Sequence, residues 1–333
     1  MHSFLTELES VAARWPDPTG VHRLGEIKSK NEVAPLMGFT LGSKEPHAPT
    51  LMVVGGIHGL EKIGAEVTLA FQQHLIGRYA WDLSLQRDLQ RIRLAFFPAV
   101  NPMGILNHTR CNPNGVDLMR NAPVESNEAS HWVGGQTLSR HLPWYRGPGP
   151  YSVENLEPEL RALHDFVLAY SSKSTFTLIL DCHSGFGLQD QLWFPYAHTK
   201  KIYPEIRQIV ALKQLLDESL PHHVYRFEPQ SRHYCTHGDL WDYLLLNWGK
   251  DQTLIPLTLE MGSWTWLKKN PWQALSFQGP FNPIKPHRHR RILRRHLPLF
   301  QWLQNATLSH ENWLHNLPKE TQLQQWIQHW YQD

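Results

Sequence analysis

The chain has 333 residues, of which 41% are hydrophobic, 19% charged and 11% aromatic, the composition of a globular protein with room for one large core or two ordinary ones. A net charge of +2 with histidines neutral provides no overall field for nucleic acid, and no apolar run approaches the ~20 residues that a membrane span needs. The three cysteines, Cys111, Cys182 and Cys235, are odd in number and scattered, which does not read as a disulfide framework; with an acidic start from Met1 to Glu9 that lacks a basic-then-apolar leader pattern, the expected location is cytoplasmic.

The first clear element is the apolar run Thr50 to Val54, read as a strand. It opens through Gly55-Gly56-Ile57-His58-Gly59-Leu60-Glu61 into a helix over Glu61 to Ile76, with Ile63, Val67, Leu69, Ala70 and Leu75 on one face. A second strand is expected over Ile92 to Val100, followed by Asn101-Pro102-Met103-Gly104 and then by Arg110 to Asn121, where Pro-Asn and Asn-Gly mark tight turns. The stretch Glu125 to Pro150, with Trp132, Trp144 and Tyr145, lacks periodicity and reads as an ordered rim of a binding site, because disordered segments are poor in tryptophan. A helix over Glu157 to Tyr170, a strand over Phe176 to Asp181, a helix over Ile202 to Leu220 and a strand over Leu254 to Glu260 follow. Beyond these the chain turns helical, over Lys285 to Leu303 and Glu311 to Tyr331. The basic run Lys285 to His296 reads as a solvated helix face or a contact between copies rather than a nucleic-acid site, since it stands alone in a near-neutral chain.

The four strands are apolar nearly throughout, as strands buried on both faces are, and they alternate with helices, which implies an α/β sheet covered by helices. In such sheets sites gather at the carboxyl ends of strands, where His58, Asn101, His183 and Glu260 all fall. His58 and Glu61, three residues apart at a strand-to-helix opening, suit two metal ligands, although such a pair also reads as a solvated helix start. His183 ends a buried strand at a glycine-containing turn and suits a third ligand, its ring oriented by Asp181 or a backbone carbonyl; a plain strand-end cap is the alternative. Glu260 at another strand end is costly unless solvated or paired, and it stands where a general base or an edge salt bridge belongs. Arg110 and Arg120 flank the turns and suit one cation for a carbonyl and one for a carboxylate, or two surface ion pairs.

In this order, His-x-x-Glu, Asn-Pro-x-Gly, Arg-x-Asn-x-Asn-Gly-Val-Asp-Leu-x-Arg-Asn, strand-His-Ser and strand-Glu resemble the zinc carboxypeptidase family, which takes in pancreatic-type carboxypeptidases, bacterial murein peptide amidases and the related succinylglutamate desuccinylase and aspartoacylase branch. The resemblance runs from about Thr50 to Gly262, roughly two thirds of the chain. It implies a mixed, mainly parallel eight-stranded sheet between helices, with residues 1–283 as the catalytic domain and 284–333 as a helical C-terminal extension packed on it. It further implies one zinc ion on His58, Glu61 and His183, Glu260 as general base, Arg110 on the oxyanion, and Arg120 with Asn121 on the substrate. Tyr234 is the nominee for the family's mobile tyrosine, with Tyr243 or neither as alternatives. One departure stands out: Met119 occupies the position before Arg120 where the family usually has asparagine, and methionine cannot donate a hydrogen bond to a carboxylate.

The resulting expectation is a zinc-dependent hydrolase that cleaves an amide bond near a free carboxylate, using water activated by zinc and deprotonated by Glu260. Its partner is a small peptide or an acylated amino acid, with neither nucleic acid nor membrane. An N-acyl amino acid deacylase of the desuccinylase and aspartoacylase type, which Met119 favours, and a non-catalytic member of the fold are the alternatives.

Overall fold

The computed structural model describes residues 4–29, 32–128, 142–276 and 278–332. In chain order the elements are α1 (Phe4–Ala13), β1 (Val21–Ser29), β2 (Glu32–Gly42), β3 (Thr50–Gly55), α2 (Lys62–Tyr79), α3 (Leu83–Leu89), β4 (Arg93–Phe97), α4 (Pro102–Asn107), α5 (Pro158–Ser171) and β5 (Phe176–Ser184). They continue with β6 (Gln191–Phe194), α6 (Ile206–Ser219), β7 (Arg226–Pro229), α7 (Leu240–Leu246), β8 (Thr253–Met261), α8 (Trp264–Lys269), α9 (Pro286–Leu308), α10 (His310–Leu314) and α11 (Glu320–Tyr331).

The strands form one eight-stranded sheet in the order β1-β2-β4-β3-β5-β8-β6-β7. Four of the seven pairings are parallel (β3 with β4, β3 with β5, β5 with β8, β6 with β7) and three antiparallel, so the sheet is mixed with a parallel centre. Strands β3 and β5 are buried at every residue, which is why their sequences are continuous apolar runs rather than alternating ones. Successive side chains point to opposite faces, so Leu51, Val53, Leu178 and Leu180 join one core cluster, while Met52, Val54 and Ile179 join the other. Helices α2, α6 and α9 to α11 cover the first face; α5 and α7 cover the second.

The apolar runs lie close to their expected bounds, with the second strand trimmed to Arg93–Phe97 and the last helix divided into α10 and α11 around Pro318. Four strands have no such signal in the sequence. Strands β6 and β7 are only four residues long, and the outer pair β1 and β2 carries glycine, proline and charges suited to a sheet edge. The basic run at the start of α9 is tied to the body: Arg288 donates to the carbonyls of Trp266 and Lys269, His289 pairs with Glu66, and Arg295 pairs with Asp190. No helix among the described residues is long and apolar enough to cross a membrane.

Candidate metal centre and active site

Strand β3 ends at Gly55, and the chain turns through Gly56, whose φ of 65° favours glycine, before reaching His58. This loop lies hard against α4: a Cβ added at Gly59 would sit 2.0 Å from the Gly104 carbonyl carbon. Asn101 caps α4 by accepting from Gly104 N at 2.8 Å, and its amide donates to the Arg110 carbonyl at 3.3 Å. Its place at a strand end is therefore structural; it braces the segment that carries Arg110.

His58, Glu61 and His183 are buried together, with ligand atoms all within 4.8 Å of one another. His58 Nδ1 lies 2.9 Å from Glu61 Oε1, and His183 Nδ1 lies 3.1 Å from Glu61 Oε2. The outward nitrogens rest on carboxylates: His58 Nε2 on Asp117 Oδ1 at 3.0 Å, His183 Nε2 on Asp181 Oδ2 at 2.8 Å. Two imidazoles that turn the same nitrogen inward while carboxylates hold the other, together with one inward carboxylate, form a donor set that fits a zinc-type divalent ion. Glu61 also accepts from Ser184 N at 2.9 Å and from Arg110 Nη1 at 3.3 Å, and Arg110 Nε donates to Asp117 Oδ2 at 3.0 Å.

The charges in this cluster are strongly coupled. Burial alone would raise the Glu61 carboxyl, but the two histidines beside it outweigh burial and hold it low. For Asp117 burial is likewise outweighed, by Arg110, His58 and Arg120, and the carboxyl is held well below the usual range. Burial would lower His183, yet Asp181 and Glu61 lift it well above the ordinary histidine value. Glu260 goes the other way: burial, and then the charge of Glu61, push its carboxyl up to about 8. Arg110 stays a firm cation because Asp117 and Glu61 more than offset its burial.

These groups line a cavity of about 400 Å³. His58, Glu61, His183, Glu260, Arg110, Arg120 and Tyr234 all border it, with Met119 beside Arg120. Glu260 reaches it because β8 pairs with β5 in parallel with Glu260 opposite His183; Phe186 N donates to Glu260 Oε1 at 3.0 Å. Arg120, 3% exposed, is positioned by its backbone: its carbonyl accepts from Arg146 Nε at 2.8 Å, and its own Nη1 donates to the Met119 carbonyl at 3.1 Å.

Of the residues nominated for the substrate, Asn121 is not brought to the cavity. Its amide donates to the Arg146 carbonyl at 2.9 Å and accepts from Glu157 N at 2.7 Å, so it serves the scaffold behind Arg120. Tyr234 borders the cavity, whereas Tyr243 packs near His164 with ring centroids 6.0 Å apart. Burial raises the Tyr234 hydroxyl, so it is present as a neutral donor. In the rim stretch, residues 129–141, including Trp132, lie outside the described residues, while Pro143 and Trp144 border the cavity.

Sequence reasoning assigned no role to Asp117, although its position as the cap of the turn at Leu118–Arg120 is a usable signal. It also missed the apolar walls. Phe186 and Trp193 stand with ring centroids 5.5 Å apart, and Tyr234 lies at right angles to Trp193 at 6.1 Å. Trp193 sits on a four-residue strand with no distinguishing pattern.

A mixed α/β sheet with a His-Glu-His cluster and a buried glutamate at its strand ends defines a metal-binding fold with an acid and two arginines around one cavity. The family model described as zinc carboxypeptidase (peptidase M14) matches residues 5–263, and the chain belongs to that family. Carboxypeptidase D of Drosophila melanogaster is 28% identical over 126 residues, covering 35% of this chain and 9% of that protein. Carboxypeptidase M of Mus musculus is 27% identical over 126 residues, covering 35% and 28%. The carboxypeptidase N catalytic chain of Rattus norvegicus is 28% identical over 195 residues, covering 54% and 40%. The chain thus spans less than half the length of each of these relatives. Among solved structures, thrombin-activatable fibrinolysis inhibitor superposes with a TM-score of 0.62 at 20% identity over 91% of this chain and 71% of that one. The bovine form, in complex with tick carboxypeptidase inhibitor, gives 0.62 at 19% identity over 95% and 98%. At these identities the likeness is one of fold.

Proposed function

We propose that the protein is a zinc-dependent hydrolase that releases a residue bearing a free carboxylate from a small peptide. The observation that carries this reading is the convergence of His58, Glu61, His183, Glu260, Arg110 and Arg120 on one cavity. In this reading one divalent ion, zinc, is held by His58 Nδ1, Glu61 and His183 Nδ1, and when bound it supplies Lewis-acid polarisation of a carbonyl and acidifies water.

The chain's own groups do the rest. Arg120 anchors the substrate carboxylate as a cation at the cavity wall, and Asn121 and Arg146 keep its backbone in place. Glu260 takes a proton from water and returns it to the departing nitrogen; its raised affinity for protons suits both halves of that exchange. Arg110, fixed by Asp117 and Glu61, places a permanent positive charge where the carbonyl oxygen becomes an oxyanion. Tyr234 offers a neutral hydroxyl at the same cavity, and Phe186 and Trp193 exclude water from the side chain being bound.

The carboxypeptidase relatives favour peptide substrates over acylated amino acids. We assign residues 1–283 to the catalytic domain and 284–333 to an extension on it, and we place the protein in the cytoplasm on its three free cysteines. The test is hydrolysis of N-blocked dipeptides with free C-termini by zinc-loaded wild type and Glu260→Gln. Wild type releases the C-terminal amino acid, and Glu260→Gln loses roughly 10²- to 10⁴-fold in kcat while keeping its zinc. Equal rates in the two proteins would remove Glu260 from the mechanism; turnover of acylated amino acids alone would favour the deacylase branch.

A further inference from the structure

The carboxylates behind the two histidines are secured differently. Asp117, behind His58, is fixed through both oxygens: Oδ1 also accepts from Met119 N at 3.0 Å, and Oδ2 accepts from Arg110 Nε at 3.0 Å. Asp181, behind His183, is fully buried on β5, and its Oδ1 has no hydrogen-bond partner among the described residues. Its Oδ2 carries everything, contacting His183 Nε2 at 2.8 Å and accepting from Trp241 Nε1 at 2.9 Å.

A carboxylate turns easily about its last bond, because that torsion has broad, shallow wells. A single contact to an imidazole therefore does not fix which oxygen it presents or in what direction. A second donor on the same oxygen does. Trp241 is 3% exposed and sits in the first turn of α7, whose cap Asp239 accepts from Asp242 N at 2.9 Å. Its indole is thus a rigid donor on a capped helix, and it is the counterpart, on the His183 side, of Arg110 and the Met119 amide on the His58 side.

We propose that Trp241 is a positioning residue of the metal centre: its indole N–H locks Asp181, and Asp181 in turn holds His183 with Nδ1 directed at Glu61. The proposal rests on the assignment of His58, Glu61 and His183 as the zinc site. Without the indole donor the carboxylate is free to rotate, the His183 ring loses its fixed orientation, and the ion is held less tightly. Outer groups of this kind are worth roughly 10- to 100-fold in metal affinity.

The experiment measures zinc affinity by competition with a chromophoric chelator for wild type, Trp241→Phe and Leu244→Ala. The phenylalanine keeps an aromatic ring and removes the donor; Leu244→Ala removes buried apolar volume from the same helix and no hydrogen bond. Trp241→Phe is expected to weaken zinc binding by roughly 10- to 100-fold, while Leu244→Ala lowers the melting temperature and leaves zinc affinity unchanged. Unchanged affinity in Trp241→Phe, or an equal loss in both variants, overturns the proposal. Should Trp241→Phe not fold, the indole ¹⁵N–¹H signals of wild type give a second reading. The Trp241 signal is expected to move on zinc loading while that of Trp330, bonded to the Phe227 carbonyl, stays; an unmoved Trp241 signal overturns the proposal. Wild type that takes up no zinc removes the site itself, and the proposal with it.

Discussion

His183 and Glu260 lie directly opposite one another on the adjacent parallel strands β5 and β8. Sheet register therefore sets the relation between a metal-side histidine and the buried acid. A slip of one residue in either strand would turn one of them to the other face. Strand β5 is buried at every residue and β8 at seven of nine, which holds a carboxylate and an imidazole at fixed spacing.

Zinc affinity is expected to fall as pH falls. Burial and the charge of Glu61 push Glu260 up to about 8, and Asp181 and Glu61 lift His183 well above its ordinary value despite its burial. Between protein groups alone, the site thus retains protons at neutral pH. An imidazole must be neutral to ligate, and a nearby dication favours the ionised glutamate, so loading expels protons. The loaded state binds fewer protons, hence acid favours the unloaded one. Zinc titrations at constant ionic strength between about pH 8 and 6 should show the decline, with proton release in weak buffer; a flat affinity contradicts the electrostatics described.

Gly238 is expected to tolerate no side chain. Its φ is 75°, and a Cβ there would lie 1.8 Å from the Arg120 carbonyl oxygen. Its own backbone is locked by Ala122 N donating to its carbonyl at 3.0 Å and by its N–H donating to Val124 at 2.8 Å. Gly238→Ala must therefore displace the Arg120 segment. Loss of one charged contact to the substrate corresponds to roughly 1–3 kcal/mol, or about 5- to 150-fold in KM for substrates with a free carboxylate. Zinc affinity should change less than KM, because Arg120 is not one of the three groups that converge on the metal position. Steady-state kinetics and a zinc titration on the same preparation check both halves.

His296 is expected to make stability depend on pH. It is fully buried on α9, its Nδ1 paired with the Tyr225 hydroxyl at 3.0 Å, and burial pushes its ring down to about 4. In the unfolded chain a histidine titrates near 6.5. Between these values the unfolded state takes up a proton that the native state refuses, so stability present above about 6.5 is lost as pH falls towards about 4, by roughly 3 kcal/mol. Denaturant unfolding across that range should show the loss in wild type and a shallower dependence in His296→Gln. Identical slopes would mean that other groups carry the acid sensitivity.

The centre of the fold was legible because burial on both faces forces continuous apolar sequence, as in β3, β5 and β8. The candidate site residues His58, His183 and Glu260 were legible for a related reason: polar groups interrupt those runs at strand ends, where burial is costly unless a partner or a site offsets it. The outer strands and the short pair β6 and β7 left no comparable mark, since edges are mixed in composition and four residues are too few to show a period. Asn121 shows the limit at the site. The motif places it next to Arg120, but adjacent residues diverge in direction, and its amide binds backbone at Arg146 and Glu157 instead. Trp193 and Trp241 belong to the site through packing and one long-range hydrogen bond, neither of which has a local sequence signature.

Met119 is expected to weaken the grip on a free carboxylate, and Met119→Asn to strengthen it. The Met119 side chain borders the cavity next to Arg120, and its thioether offers no donor. Its backbone is already engaged, with N–H donating to Asp117 and carbonyl accepting from Arg120, so a change of side chain leaves those contacts in place. An asparagine amide there adds a donor beside the guanidinium. One added hydrogen bond to a charged acceptor corresponds to roughly 1.5–3 kcal/mol, a fall in KM of about 10- to 150-fold. The bond forms equally in the ground and transition states, so kcat should not move. The comparison that decides it pairs each peptide with its C-terminal amide. A gain confined to the free acid assigns the new donor to the carboxylate. An equal gain for both would assign the effect of residue 119 to the shape of the cavity wall, where Met119 is 6% exposed and well packed.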